Sequence, residues 1–187
     1  MLRKLFFATV CSLPIGCANL PVKVPDTARL APGQLGSGAD ADVYAVHLAQ
    51  WAFADPGRVR GRPVDAARAS AAMDYIAGEL YTSPRWANIP AVTQEQLLQG
   101  RQEVRDALGV VPGAPSQAVV DDLTMAADAL AHNDHQAALR QLGPPVFALP
   151  PQQVLARLSY MPYLPKANIA TMRAANEMFG PGNMDWH

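Results

Sequence analysis

Three short stretches carry the side chains best suited to chemistry. In "ALAHNDHQ" two histidines, His132 and His135, stand three apart with Asp134 between them. Imidazole and carboxylate are ligands for zinc and related ions. No third ligand lies near, and the stretch reads as a turn between helices in which Asp134 suits an N-cap. The histidines are therefore read as exposed turn residues, with no metal and no other cofactor expected. In "GRVRGRP" Arg58, Arg60 and Arg62 alternate along one loop. Guanidinium forks recognise phosphate and carboxylate. This loop is the first choice for contact with an acidic partner or anionic lipid, against the plainer reading of a solvated basic loop. In "SYMPYLPKAN" Tyr160 and Tyr163 sit in a proline-broken apolar segment, with Trp186 following in "GNMDWH". Exposed aromatic surface of this kind marks a partner contact; capping of the core is the alternative.

The remaining titratable residues do not assemble into a catalytic pattern. Asp121 and Asp122 are adjacent on a predicted helix and splay about 100° apart, so they are read as first-turn carboxylates favoured by the helix dipole. Glu79 stands alone in "AGELY", and His47 borders an apolar stripe as a partly buried histidine. An envelope enzyme using Glu79 or a histidine needs a cleft joining it to a second polar group. G-x-S-x-G, H-E-x-x-H, S-x-x-K and C-x-x-C do not occur, nor does a glycine-rich phosphate loop. Read this way, the chain is not an enzyme.

Both cysteines, Cys11 and Cys17, fall in "MLRKLFFATVCSLPIGCANLP". Arg3 and Lys4 open the stretch, and Leu5 to Gly16 carry no charge. That is roughly a dozen residues, the length of a signal-peptide apolar region and too short to span a bilayer. "LPIGC" resembles the lipobox of bacterial lipoproteins: Ile15 and Gly16 stand in the two places before the cysteine. Pro14 departs from the family's usual leucine, which sits one place earlier as Leu13. The resemblance covers residues 1–17. It implies cleavage before Cys17, a diacylglycerol thioether on Cys17, further acylation of the new amino terminus, and a periplasm-facing location. Ala18 after the cysteine resembles lipoproteins of the outer membrane. Several acyl chains anchor stably where one is marginal. A plain signal peptide with an incidental Cys17 is the alternative. Loss of Arg3 and Lys4 leaves 13 basic against 16 acidic residues, a net charge of -3.

The elements that must position the candidate residues are helical. Half of the 187 residues are hydrophobic and 17% are charged, which permits a real core and argues against nucleic acid as a partner. Residues 18–39, rich in proline and glycine, read as a tether, with a loop packed on the domain as the alternative for residues 27–35. From Asp40 onward the apolar period is three to four. Asp40 or Asp42 caps a first helix with Tyr44, Leu48, Trp51 and Ala52 inward. Pro63 opens a second, with Ala66, Ala69, Met73, Ile76 and Leu80 inward, ending at Ser83-Pro84. Thr93 and Gln96 form a capping-box pattern for a third, closed by Gly109 and weakened by Gly100. Ser116 caps a fourth, Asp134 a short fifth, Pro151 opens a sixth, and Lys166 to Phe179 form the last. "PPVFALPP" reads as an extended connector whose Val146, Phe147 and Leu149 pack on the core.

The expected fold is all-α: a compact bundle of six or seven helices, with a short α-solenoid as the alternative. "MAADALAHNDHQAALRQLG" resembles one tetratricopeptide-type hairpin through Asn133, Asp134, His135 and Ala138, but no second copy follows about 34 residues away. The expected organisation is residues 1–16 as signal peptide, 17–39 as lipidated cysteine and tether, 40–180 as helical domain and 181–187 as tail. The expected function is a lipid-anchored docking or scaffold subunit of a cell-envelope assembly, with the membrane and a protein as its partners. A carrier of a small apolar ligand is the alternative.

Overall fold

Alanine, interrupted by proline, dictates the architecture. The computed structural model describes residues 25–35 and 40–180. The expected signal peptide, Cys17, residues 18–24 and 36–39 of the tether, and the tail at 181–187 lie outside the described residues. The described chain is all-α, as the periodicity indicates. Its helices are α1 (Ala41–Ala54), α2 (Pro63–Thr82), α3 (Ala91–Leu108), α4 (Ser116–Ala131), α5 (His135–Gln141), α6 (Pro151–Ser159) and α7 (Pro165–Phe179), with single 3-10 turns at Pro56–Arg58 and Pro84–Trp86. α7 returns to pack between α1 and α3. This closes the molecule into a bundle rather than an open solenoid.

α2 is the central helix. It touches α1, α3, α4 and α6, and 13 of its 20 residues are buried. The sequence predicts one inward stripe for it. Burial instead runs almost all round, because alanines at 66, 67, 69, 71, 72 and 77 keep the helix thin enough for neighbours on every side. The same economy corrects the first helix. α1 turns Ala45, Ala49 and Ala52 inward with Val46 and Phe53, while Tyr44, Leu48 and Trp51 flank that contact, half-buried. Large side chains on the inner line would hold α1 off α2.

Two expected caps also move. α3 begins at Ala91, so Thr93 lies buried inside its first turn and no capping-box bond forms. Ser116 is the first residue of α4 rather than its cap. Its N–H donates at 2.5 Å to the Asp26 carboxylate, 90 residues away in sequence. Gly109 closes α3 in the left-handed conformation, φ 73°. Asp134 caps α5, accepting from Ala137 N–H at 2.9 Å. Gly100 does more than weaken α3: a Cβ there would stand 2.7 Å from Met73 Cε and 3.0 Å from Ala167 Cα. The glycine lets α7 cross α3 at close range. Val146 and Phe147 are buried as expected, and a single bridge pairs Phe147 with Val110.

The tether is shorter than the composition suggests. Residues 25–35 form a strap laid on α2, α3 and α4, with Ala28 and Leu35 buried in the core. Its polar groups find partners there. Asp26 carbonyl accepts from Arg101 at 2.8 Å, Arg29 N–H donates to Gln117 at 2.8 Å, and Gln34 donates to Asp121 at 3.1 Å and Thr124 at 3.0 Å. Pro32-Gly33 turn the end of the strap, with Gln34 N–H donating to Ala31 carbonyl at 3.0 Å and Gly33 at φ 78°, and its sparse apolar residues are enough to seat it.

Candidate functional site

Five residues singled out for contact, Arg58, Arg60, Arg62, Tyr160 and Tyr163, come from segments about a hundred positions apart. The fold joins these segments. Gly61, at φ 70°, turns the arginine loop so that its N–H donates to Ser159 carbonyl at 2.8 Å, at the end of α6. Val59 is buried beneath the loop beside Met161, Leu164 and Phe53, and Tyr163 closes the same contact. The loop and the 160–163 segment therefore share a hydrophobic footing and one outer face.

The arginines differ. Arg58 folds back, donating from Nη1 to Trp51 carbonyl at 2.9 Å. Arg62 pairs with Asp65 at 2.6 Å and lies over the Trp51 ring at 5.4 Å. Both groups of that ion pair are solvated, so it holds little energy. Arg60 points to solvent without an ion pair among the described residues. Tyr160 and Tyr163 are 70% and 54% exposed. Ile169 and Met172 on α7, at 43% and 45%, extend the same run. Six large hydrophobic side chains are exposed among the described residues, and four of them fall between positions 160 and 172. Neither Ile169 nor Met172 was singled out from the sequence.

A second constellation surrounds Asp42. It was read as an alternative cap, but Asp40 caps α1, accepting from Asp42 N–H at 3.1 Å and Val43 N–H at 3.3 Å. Asp42 is buried. It accepts from Tyr75 hydroxyl at 2.5 Å, Trp86 Nε1 at 2.9 Å and Arg85 Nη1 at 3.1 Å. Arg85 also pairs with Asp40 and covers the Trp86 ring at 4.5 Å. The Arg85 hydrogen bond holds the Asp40 carboxyl below the ordinary range, and Asp40 raises the Arg85 guanidinium in return. Burial first, and the Asp42 carboxylate second, push the Tyr75 phenol far up. A carboxylate held by three donors is a joint that fixes α1, α2 and the 84–86 turn. Beside it a cleft of about 410 Å³ opens, lined by Asp40, Val43, Arg85, Trp86, Met178 and Phe179.

The third cluster is interior. Arg105 binds Asp74 with two prongs, and it also donates to Ala114 carbonyl at 3.0 Å and Ser116 Oγ at 2.9 Å. Arg101 donates to Ser116 Oγ at 3.2 Å, and burial pulls its guanidinium down. The depression above them, about 620 Å³, has Arg101, Arg105 and Asp26 in its wall. Two cations meet two carboxylates, Asp26 and Asp74, so the site carries no surplus charge to draw an anion.

The single-residue candidates stay separate. His47 is exposed and stacks on Phe179, ring centres 4.1 Å apart, rather than sitting partly buried in the stripe. His132 approaches Asp128 carbonyl through Nδ1 at 2.8 Å, and His135 is exposed at the start of α5. Among the described residues no group of three or more His, Cys, Asp or Glu could hold a metal ion. Glu79 is half-buried near the end of α2. Asp121 and Asp122 lie in the second turn of α4, not the first, because the helix starts at Ser116. No helix among the described residues is long and apolar enough to cross a membrane. Compared with known proteins, the chain matches no family model, no curated protein and no solved structure.

Proposed function

We propose that the protein is a lipid-anchored helical docking subunit of a bacterial cell-envelope assembly, facing the periplasm, with Cys17 as its anchor and the outer membrane as its favoured site. The observation that carries the docking part is the shared face of Arg58, Arg60, Arg62, Tyr160 and Tyr163. Basic and aromatic side chains that are exposed, yet footed on buried apolar residues, have the make-up of an interface core with a charged rim. The anchor part rests on the lipobox-like "LPIGC". Intact mass of the membrane-extracted chain tests it: a chain starting at Cys17 and carrying acyl groups is expected, and a chain still starting at Met1, or unacylated, overturns it. In-cell cross-linking tests the docking part. A reproducible higher-mass adduct is expected for the wild type and lost when Arg58, Arg60 and Arg62 are all changed to Ala. An adduct indifferent to those changes overturns it.

The cleft beside Asp42 favours one second reading, a carrier of a small apolar ligand, since about 410 Å³ suits such a molecule. Native mass spectrometry of the protein extracted from membranes separates the two. A stoichiometric small molecule that departs on Val43→Trp supports the carrier.

A further inference from the structure

Resting on the anchor reading, and giving this face a membrane rather than a protein to meet, we propose that the outer side of α7, with Tyr160, Tyr163 and Arg60 beside it, lies flat on the headgroups of an anionic phospholipid bilayer. Charge comes first. From Arg157 to Asn176 the chain holds Arg157, Lys166 and Arg173 and no Asp or Glu; a carboxylate bonded there, Glu103 of α3, accepts from Lys166 and Ala167 backbone N–H at the start of α7. Lys166, Ile169 and Arg173 stand at i, i+3 and i+7, one side of a helix, and all three are exposed. Cations therefore flank exposed apolar side chains, as in interfacial helices, whose Lys and Arg reach headgroups while apolar groups enter the boundary. Tyrosine is at home at that depth because its ring is apolar and its hydroxyl polar.

Shape comes second. A depression at this face, between Val59 and Tyr163, holds only about 10 Å³. A hollow that small offers no seat for a partner's helix or strand.

Reach comes third. The strap crosses α2 at Gly78, where Asp26 and Thr27 lie against it. Fifteen residues separate Gly78 from Pro63, beside the arginine loop, or about 22 Å along the helix. From Cys17 to Pro25 the chain can span roughly 28 Å at most. An anchor at Cys17 lets the face reach the bilayer and keeps the domain close to it.

The test uses the full chain reconstituted in vesicles, with a benzophenone side chain placed at Ile169, 43% exposed, or, as control, at Met125, 53% exposed, on α4, the helix that packs on α2 and α5. After irradiation, a phospholipid adduct at Ile169 is expected in vesicles of equal phosphatidylglycerol and phosphatidylcholine. It should exceed the adduct in phosphatidylcholine alone about tenfold, each basic residue near an anionic surface adding to the attraction. Changing Arg60→Glu, Lys166→Glu and Arg173→Glu together should bring it down to the Met125 level at unchanged Tm; where Tm falls, Arg173→Glu alone is read. Equal adducts at Ile169 and Met125 overturn the proposal. In native membranes, a protein adduct at Ile169 in place of lipid overturns it while leaving the docking reading standing. Neither adduct at Ile169 overturns both.

Discussion

Arg105 and Asp74 meet as a two-pronged ion pair inside the bundle, Nε to Oδ2 at 2.6 Å and Nη2 to Oδ1 at 2.7 Å, with the Asp74 side chain 3% exposed and that of Arg105 12%. The pair ties α3 to the middle of α2, and the remaining donors of Arg105 hold the approach to α4. Two charges this deep are stable together and costly apart.

The first prediction follows from that asymmetry. Arg105→Met alone should cost about 3–5 kcal/mol, because it strands the Asp74 carboxylate among alanines. Adding Asp74→Leu should recover most of that loss, since neither charge is then buried. Arg105→Lys should not rescue, because an ammonium cannot supply the fork and still reach Ala114 and Ser116. Urea unfolding of the four proteins checks all three statements.

This pair also marks where reading the sequence stops. Helices, their proline and glycine ends, and the packing of Val146 and Phe147 are local consequences of residue type, so they were legible. Asp74 was not singled out: it stands between Met73 and Tyr75, and nothing local says that its cation comes from position 105. The Asp26 cap on Ser116 fails for the same reason: a helix start looks uncapped, or wrongly capped, when the cap lies 90 residues away. Arg58, Arg60, Arg62, Tyr160 and Tyr163 were legible as residue types. Their common face depends on the bond between Gly61 and Ser159, which no spacing encodes. Exposure of Ile169 and Met172 was hidden because an apolar residue on a helix is ordinarily an inward one.

A second prediction concerns Tyr75. Its phenol stays protonated in the folded state far above the pH at which an unfolded tyrosine, near 10, ionises. The folded state then binds the extra proton, so this contribution to stability is complete below about pH 10 and is lost as pH rises. One of the five tyrosines should be missing from the phenolate absorbance titration until the protein unfolds. Tyr75→Phe should cost about 1 kcal/mol at neutral pH through the lost hydrogen bond to Asp42, and it should flatten the decline on the alkaline side. A full complement of phenolates in the folded protein contradicts the prediction.

Asp122 supplies a third, with the opposite sense for an acid. Burial, and then the neighbouring Asp121, raise its carboxyl above the usual range. The folded state holds the proton more tightly than the unfolded one, so this group favours folding at low pH and loses that effect as pH climbs through its folded pKa. Asp122→Asn should therefore raise Tm at neutral pH by about 1–2 °C, or roughly 0.5 kcal/mol. The gain should vanish in acid. A variant equally stabilised at both pH values would show that charge is not the cause.

The last prediction tests whether the strap is part of the domain. Alanine in place of glycine within a helix ordinarily stabilises by about 0.5–1 kcal/mol. At Gly78 the added Cβ would stand 2.8 Å from Asp26 carbonyl oxygen and 2.9 Å from Thr27 Cα, both backbone atoms that cannot swing aside. Gly78→Ala should thus reverse sign, lifting the strap from α2 and pulling the Asp26 carboxylate off Ser116 N–H. Hydrogen exchange should report the change locally: protection falls at Ser116, whose N–H the Asp26 side chain holds, and at Arg29, bonded to Gln117, while the middle of α2 stays protected. A lifted strap adds its own residues to the reach of the chain from Cys17. A domain pinned near its anchor would become one on a long leash, with cross-linking at Ile169 reduced in step. If Gly78→Ala instead stabilises the protein and leaves Ser116 and Arg29 protected, residues 25–35 are not seated on α2, and the length of the tether reverts to what proline and glycine alone suggest.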